Sequence, residues 1–499
     1  MVDILTNILT PANLLMMNIG VAVGVIVGAM PGLNTIFAIT VLLPFTFGLD
    51  STTGMYLLLG ASAGGLFGGS ISAILINTPG TPAACATVLD GYPMAQKGNA
   101  GNALRYALVA SCIGGLLSCF ALLFLAPIIA KFALNFASPE FFSLCIFGMS
   151  TVIGLAEGRE IKGIIMATIG LLISTVGIDV NDGAQRFMFG NLNLLAGINS
   201  VVVMLGIFAM SEVLIKTRDH YLSRNSNQSI KKITKATVKV KDILRSWKTL
   251  LKSSVIGIVI GAIPGTGGAM AAMLAYNESR RSSKTPQDFG KGTPDGILAP
   301  EAANNAVSGG ALIPMLTLGI PGDASAAVLL GALTMQGITP GTALFTSDKT
   351  WVYAIMGGLF IINMFMLIQG LFFCQAFANL TRVPETVLLP CIITLCAAGA
   401  FSVANTTFNV LLMILFGLLG YILKRLDFPL PPLIVAMVLG STLEQNLRRS
   451  LTLSQGSYII FFAKPISCVI LIAATLFLLY PLLKKYIKNN KRASGSSQT

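Results

Sequence analysis

The chain has 499 residues, of which 54% are hydrophobic and only 11% charged, with a formal net charge of +13 and a mean hydropathy of +0.79. So few charges cannot cover the wetted surface of a protein this long, which excludes a soluble globular fold. The positive balance is gathered into one polar segment (Lys216, Arg218, Arg224, Lys231, Lys232, Lys235, Lys239, Lys241, Arg245, Lys248, Lys252) and a cluster after the last apolar run (Lys484, Lys485, Lys488, Lys491, Arg492). That is the pattern of cytoplasmic flanks of membrane spans, without the reader fold of a nucleic-acid-binding protein.

In chain order, no basic region precedes the first apolar run, so the N-terminus reads as a membrane element and not as a cleaved leader. Residues 14–30 and 33–49 are each short for a span and meet at Pro31-Gly32, as in a re-entrant hairpin that returns to its own side, with two full spans the alternative. Residues 54–76 then run into Asn77-Thr78-Pro79-Gly80-Thr81-Pro82 and continue through a second apolar piece, which reads as a helix broken near mid-membrane. Longer spans follow at 104–134 and 199–215. Beyond the basic segment the order recurs, with a hairpin about Pro264-Gly265, a helix over 299–318 broken at Pro321-Gly322, and long spans at 350–377 and 465–483. Span length predicts about 11 or 12 crossings.

The recurrence is a repeat at the level of residues. Gly24-Val25-Ile26-Val27-Gly28-Ala29-Met30-Pro31-Gly32 reads against Gly257-Ile258-Val259-Ile260-Gly261-Ala262-Ile263-Pro264-Gly265. Gly68-Gly69-Ser70 aligns with Gly309-Gly310-Ala311, Pro79-Gly80 with Pro321-Gly322, and Gln96-Lys97-Gly98 with Met335-Gln336-Gly337. The expected organisation is a first transmembrane repeat at 1–215, a basic cytoplasmic linker at 216–252, a second repeat at 253–485 and a polar cytoplasmic tail at 486–499. The first copy follows a stretch free of Lys and Arg, and the second follows the most basic loop, so the copies enter from opposite faces. The predicted fold class is an all-α polytopic membrane protein of two inverted-topology repeats, the device with which secondary transporters form outward-open and inward-open states.

Broken helices expose backbone groups that lipid cannot satisfy, so the breaks imply a polar cavity. Glycine lets a ligand approach the backbone, and a helix N-terminus presents roughly +0.5 charge to an anion. The candidate substrate-binding residues are therefore Gly32, Asn34 and Thr35; Asn77, Thr78, Gly80 and Thr81; Gly265, Thr266 and Gly267; and Gly322, Asp323 and Ser325. A small carboxylate suits them. Asn77, Asn305 and Asp323 are the coupling-ion candidates, for Na⁺ or H⁺, with no other cofactor or metal expected. Glu301 and Asn305, at i and i+4, fit one wall of the same cavity, and a helix-capping or interfacial role for Glu301 is the alternative. Asp90 and Lys97, and Asp179 and Asp182, read as solvated loop residues. The eight cysteines have no CxxC pair and read as small buried hydrophobes, and the one histidine, His220, lies in the basic loop.

The motifs Gly28-Ala29-Met30-Pro31-Gly32-Leu33, Gly68-Gly69-Ser70-Ile71-Ser72-Ala73-Ile74-Leu75, Asn77-Thr78-Pro79-Gly80-Thr81-Pro82, Asp90-Gly91-Tyr92-Pro93, Pro300-Glu301-Ala302-Ala303-Asn304-Asn305-Ala306 and Leu316-Thr317-Leu318-Gly319-Ile320-Pro321-Gly322 resemble the large membrane subunit of tripartite tricarboxylate transporters (TctA-like). The resemblance covers residues 10–450 and departs from the family pattern at Gly265-Thr266-Gly267-Gly268, where relatives are expected to carry a Pro-Pro or similar pair after the glycine. It implies a bacterial inner-membrane permease, driven by an ion gradient and not by ATP. Such a permease would receive citrate or a related carboxylate from a periplasmic binding protein and would work with a small membrane subunit. The N-terminus is expected to be periplasmic and the C-terminus cytoplasmic. The alternatives are a membrane-embedded enzyme acting on a lipid-linked substrate, for which the sequence offers no catalytic constellation, and a passive channel.

Overall fold

The computed structural model describes residues 2–30, 32–154, 159–179, 182–222, 236–380 and 385–479. Pro31, Arg224, Lys231, Lys232, Lys235, the side chain of His220 and the basic cluster at 484–492 lie outside the described residues. The first part of the chain forms α1 (Val2–Ile8), α2 (Pro11–Ala29), α3 (Thr35–Leu42), α4 (Ser51–Ile76), α5 (Ala84–Met94), α6 (Ala100–Ala133), α7 (Ser138–Gly154), α8 (Glu160–Ser174), α9 (Ser200–Met204) and α10 (Ser211–Leu222). It continues as α11 (Val240–Ile243), α12 (Trp247–Ala262), α13 (Gly267–Ser282), α14 (Asp295–Leu318), α15 (Ala324–Met335), α16 (Lys349–Leu380), α17 (Glu385–Ser402), α18 (Thr407–Arg425), α19 (Pro431–Leu453) and α20 (Ile460–Ala463). A last apolar helix covers Pro465–Leu479. Among the described residues six helical stretches are long and apolar enough to cross a bilayer and five more are apolar but shorter, so the protein is an all-α, multi-pass membrane protein. α10 and α12 extend into both ends of the segment read as a linker.

The first hairpin is built as the sequence suggests. The Thr10 side chain accepts from the Asn13 N–H (3.3 Å) to start α2, and Asn34 accepts from the Phe37 N–H (2.9 Å) to start α3. Its two ends meet at one place: the Thr53 hydroxyl donates to Asn13 Oδ1, and the Thr53 N–H donates to Asp50 Oδ2 (3.1 Å). Its tip reaches the middle of α4, where Thr35 lies against Gly65. The chain therefore enters and leaves at the N-terminal end of α4.

α2 and α4 run parallel with their backbones in contact. A Cβ on Gly20, Gly24 or Gly28 would strike the carbonyls of Leu57, Ala61 and Gly65, and one on Gly60 or Gly68 would meet those of Met17 (2.8 Å) and Val25 (2.5 Å). The second copy repeats this contact for contact, with Gly257 against the Ala303 carbonyl, Gly261 against that of Val307 (2.6 Å) and Gly310 against that of Ile258 (2.7 Å). The match corrects the sequence register by one residue: Gly68 corresponds to Gly310 and not to Gly309, because both glycines face the same turn of the partner helix.

The inversion follows from helix directions. α6 runs parallel to α14, with Ser111 on Glu301 and Ser118 on Gly309. α16 runs parallel to α2, with Gly358 beside Met17 and Gln369 bonded to Asn18. Yet α6 and α16 are antiparallel, pairing Leu108 with Gly370, Gly115 with Asn363 and Phe120 with Phe360. Hence α4 and α14, the equivalent helices of the two copies, point in opposite directions.

Two loop expectations are overturned. Asp90 is fully buried (0% exposed) and accepts hydrogen bonds from the Tyr276 hydroxyl (2.9 Å) and the N–H groups of Gly290 (3.0 Å), Gly292 (2.7 Å) and Thr293 (2.9 Å). It ties the end of α5 to the base of the second hairpin. Asp179 is 2% exposed, between Arg448 (2.7 Å) and Arg186 (3.2 Å). Its neighbours pair as the short antiparallel strands Gly177–Ile178 and Gln185–Arg186. Arg448 is thus neutralised by Asp179 and Glu444. Lys97 is exposed, as expected, and donates to the Lys291 carbonyl. Among the cysteines Cys112, Cys119, Cys145 and Cys396 are buried, whereas Cys85 and Cys391 are exposed.

Candidate functional site: a cavity between four helix N-termini

Both long helices break where the sequence places the breaks. α4 ends at Asn77, in the left-handed region (φ 59°), and α14 ends at Gly319 (φ 73°). Each following loop folds back onto its own helix. Gly80 packs on Gly69 and the Gly28 carbonyl, and Gly322 packs on Ala311 and the Gly261 carbonyl (2.6 Å from where a Cβ would sit). No side chain fits at either position, which is why glycine follows proline in both copies. The second hairpin tip is tied down in addition, the Gly265 N–H donating to the Gly322 carbonyl (2.7 Å).

A cavity of 220 Å³ opens between these tips. The first turns of four helices line it: Asn34–Ile36 of α3, Thr81–Ala83 before α5, Gly267–Ala269 of α13 and Asp323–Ala326 of α15. The four sets form two equivalent pairs between the copies, since 34–36 corresponds to 267–269 and 81–83 to 323–325. In the corrected register Ser62 of α4 is likewise the counterpart of Asn304 of α14, and both line the cavity. Ser308 and Asn363 complete its polar wall.

Three of these residues carry polar atoms that the protein does not use. Thr35 Oγ1, Thr81 Oγ1 and both amide atoms of Asn304 are buried without a hydrogen-bond partner, on residues 4%, 5% and 1% exposed. Unmet polar groups in such a place cost free energy and mark where a ligand or water is held. Among the described lining residues there is no Lys or Arg, and Asp323 is the one ionisable side chain. Asp323 caps α15, accepting from the Ala326 N–H (2.7 Å). Attraction for an anion must therefore come from helix ends and neutral donors.

Of the sequence-derived candidates, Asn34, Thr35, Thr81, Gly267, Asp323 and Ser325 line this cavity. Gly80, Gly265 and Gly322 shape its tips without lining it, and the Thr266 hydroxyl donates back to the Ile263 carbonyl (2.9 Å). Asn77 is an exposed helix cap, and the Thr78 hydroxyl donates to the Ile76 carbonyl (3.3 Å). Asn305 donates to the Glu301 carbonyl (3.2 Å), and neither it nor Glu301 reaches the cavity wall. Gly32 faces a second cavity of 210 Å³, which shares Asn34 and Ile36 with the first and is bounded by the Glu212–Lys424 ion pair (2.6 Å). Ser62, Asn304, Ser308 and Asn363 escaped the sequence reading. The repeat register, which pairs Ser62 with Asn304 inside otherwise apolar helices, is the signal that could have found the first two.

Two proteins of Agrobacterium vitis are similar to this chain. One, described as "Uncharacterized 52.8 kDa protein in TAR-I ttuC' 3'region", is 34% identical over 478 residues, covering 94% of this chain and 95% of that protein. The other, "Uncharacterized protein in TAR-II ttuC' 3'region", is 35% identical over 215 residues, which is 43% of this chain and 89% of that one. No solved structure matches. The family model described as "Tripartite tricarboxylate transporter TctA family" matches residues 14–435, and the chain belongs to that family.

Proposed function

We propose that the protein is the large membrane subunit of an ion-gradient-driven secondary transporter that imports a tricarboxylate such as citrate, or a related small carboxylate, by alternating access. The observation that carries this reading is the cavity itself, a small and mostly apolar space between two inverted copies that four helix N-termini face and whose lining residues include donors with nothing to bond. Its 220 Å³ is below the roughly 300–1,000 Å³ of sites for drug-sized ligands, which limits the cargo to a small molecule. Carboxylate oxygens would meet the hydroxyls of Thr35 and Thr81 and the Asn304 amide, while Asp323 would accept from a cargo hydroxyl, so a hydroxy acid suits the wall. The chain would sit in a bacterial inner membrane with its N-terminus periplasmic and C-terminus cytoplasmic. A periplasmic binding protein would deliver the cargo and a small membrane subunit would complete the assembly. Family membership supports transport and not catalysis.

The test is uptake of labelled citrate and other small carboxylates into proteoliposomes, with the cognate binding protein and an imposed Na⁺ or proton gradient. Gradient-dependent accumulation of at least one carboxylate is expected. Its absence for every carboxylate and both gradients would sink the reading.

A further inference from the structure

We infer that Glu301 is the coupling site of this transporter and that the ion it carries is a proton. The inference rests on the transport reading above. Glu301 is 0% exposed, in the middle of the helical bundle, and its carboxylate is paired with hydroxyls alone: Ser70 and Thr87 donate to Oε1, and Ser111 donates to Oε2 (2.9 Å). A carboxylate buried in a membrane protein without a cation is expensive, and groups of this kind persist where they do work.

The two oxygens are not equivalent. Oε1 is filled by two hydroxyl donors, whereas Oε2 has one partner, and the Ser111 hydroxyl can accept as well as donate. Oε2 is therefore the oxygen that gains and loses a proton without disturbing the pair on Oε1. A metal ion would need a shell of oxygens spaced around it. Here the hydroxyls bond the carboxylate directly, which leaves the proton as the occupant that fits.

The geometry links this group to the cavity. Ser70 lies on α4 before the break and Thr87 on α5 after it, so one oxygen bridges both arms that flank Thr81. Asn304, a cavity-lining residue whose amide has no hydrogen-bond partner, is the next turn of the same helix. Hydrogen bonds to a charged acceptor are roughly twice as strong as those to a neutral one, so protonation loosens the bridge and deprotonation tightens it. The proton is taken up on Oε2 from one side with the cargo bound and leaves to the other side when the cargo has gone. Several ionisable groups on the elements packed against α14 are engaged elsewhere. Asp90 on α5 bonds Tyr276 on α13, Arg105 on α6 bonds the Val238 carbonyl, and Cys112 on α6 bonds the Asn363 carbonyl. Lys252 on α12 pairs with Glu278, Asp323 caps α15, and Asp50 caps α4.

The experiment compares the full-length wild-type protein with Glu301→Gln in proteoliposomes holding a pH-sensitive dye, with two readouts. One is accumulation of labelled carboxylate driven by an inward proton gradient. The other is exchange of labelled for unlabelled carboxylate at equal pH, which needs no net proton movement. The wild type should acidify the lumen as it accumulates cargo. Glu301→Gln should lose gradient-driven accumulation by about tenfold or more while keeping exchange within about twofold. Ser111→Ala, which removes the Oε2 partner and leaves the bridge on Oε1, should shift the pH dependence of accumulation with normal exchange. Wild-type accumulation of cargo without lumen acidification, or a Glu301→Gln protein that still accumulates cargo under a proton gradient, would overturn the inference and leave the transport reading intact. Parallel loss of exchange and folded protein in both variants would assign Glu301 a purely structural role and overturn it too. Absence of wild-type exchange would instead count against the transport reading.

Discussion

Thr81 and Asn304 line the cavity and carry hydroxyl and amide groups with no hydrogen-bond partner in the protein, so removing those groups should cost binding and not folding. Thr81→Val and Asn304→Leu should leave the thermal midpoint of the purified protein unchanged or raised, because a buried unpaired polar atom is replaced by an apolar one. Each should raise the KM for carboxylate uptake by about tenfold, the worth of one hydrogen bond to a charged ligand. Asn77 offers the contrast. As an exposed left-handed cap it should tolerate Asn77→Gly, whereas Asn77→Ala should lower stability by about 1 kcal/mol in a melt with KM unaltered. These residues also show what the sequence could tell. Asn34, Thr35, Thr81 and Asp323 were legible because each follows a proline and glycine that end a helix. Ser62, Asn304, Ser308 and Asn363 were not, because a small polar residue inside an apolar helix reads the same whether it faces a neighbour or a cavity. Asp90 was misread as solvated because its partners are backbone N–H groups some 200 residues away, which no local pattern encodes.

At the scale of elements, the hairpins and broken helices were legible because glycine and proline punctuate them and because each occurs twice. What the sequence left open was the register between copies, since a pair of adjacent glycines can be aligned in two ways. The packing resolves it through the carbonyls that Gly68 and Gly310 face. If the contacts are equivalent, substitutions at paired positions should fail alike. Gly28→Ala and Gly261→Ala should each lower stability by about 1–3 kcal/mol from overpacking against a carbonyl, as read by thermal melting in detergent. Gly183→Ala, at a glycine with open space around it but φ of 74°, should cost only the backbone strain of about 1 kcal/mol.

For the whole molecule, opposite orientation of the copies was legible from charge alone, and the antiparallel course of α4 and α14 bears it out through contacts that charge counting never used. It predicts that the bases of the two hairpins lie on opposite faces of the membrane. Gly48→Cys and Lys284→Cys, both exposed positions, should therefore label with an impermeant thiol reagent from opposite sides of sealed vesicles. Labelling from one side would contradict the inversion. The glycine ladder between α2 and α4, repeated between α12 and α14, then has a mechanical consequence. Backbones keyed carbonyl to glycine over several turns cannot slide without collision, so each hairpin and its long helix must travel as a single wedge. The seam between the two wedges is one that can part, so cargo would enter and leave where they slide past one another and not by unlatching either one.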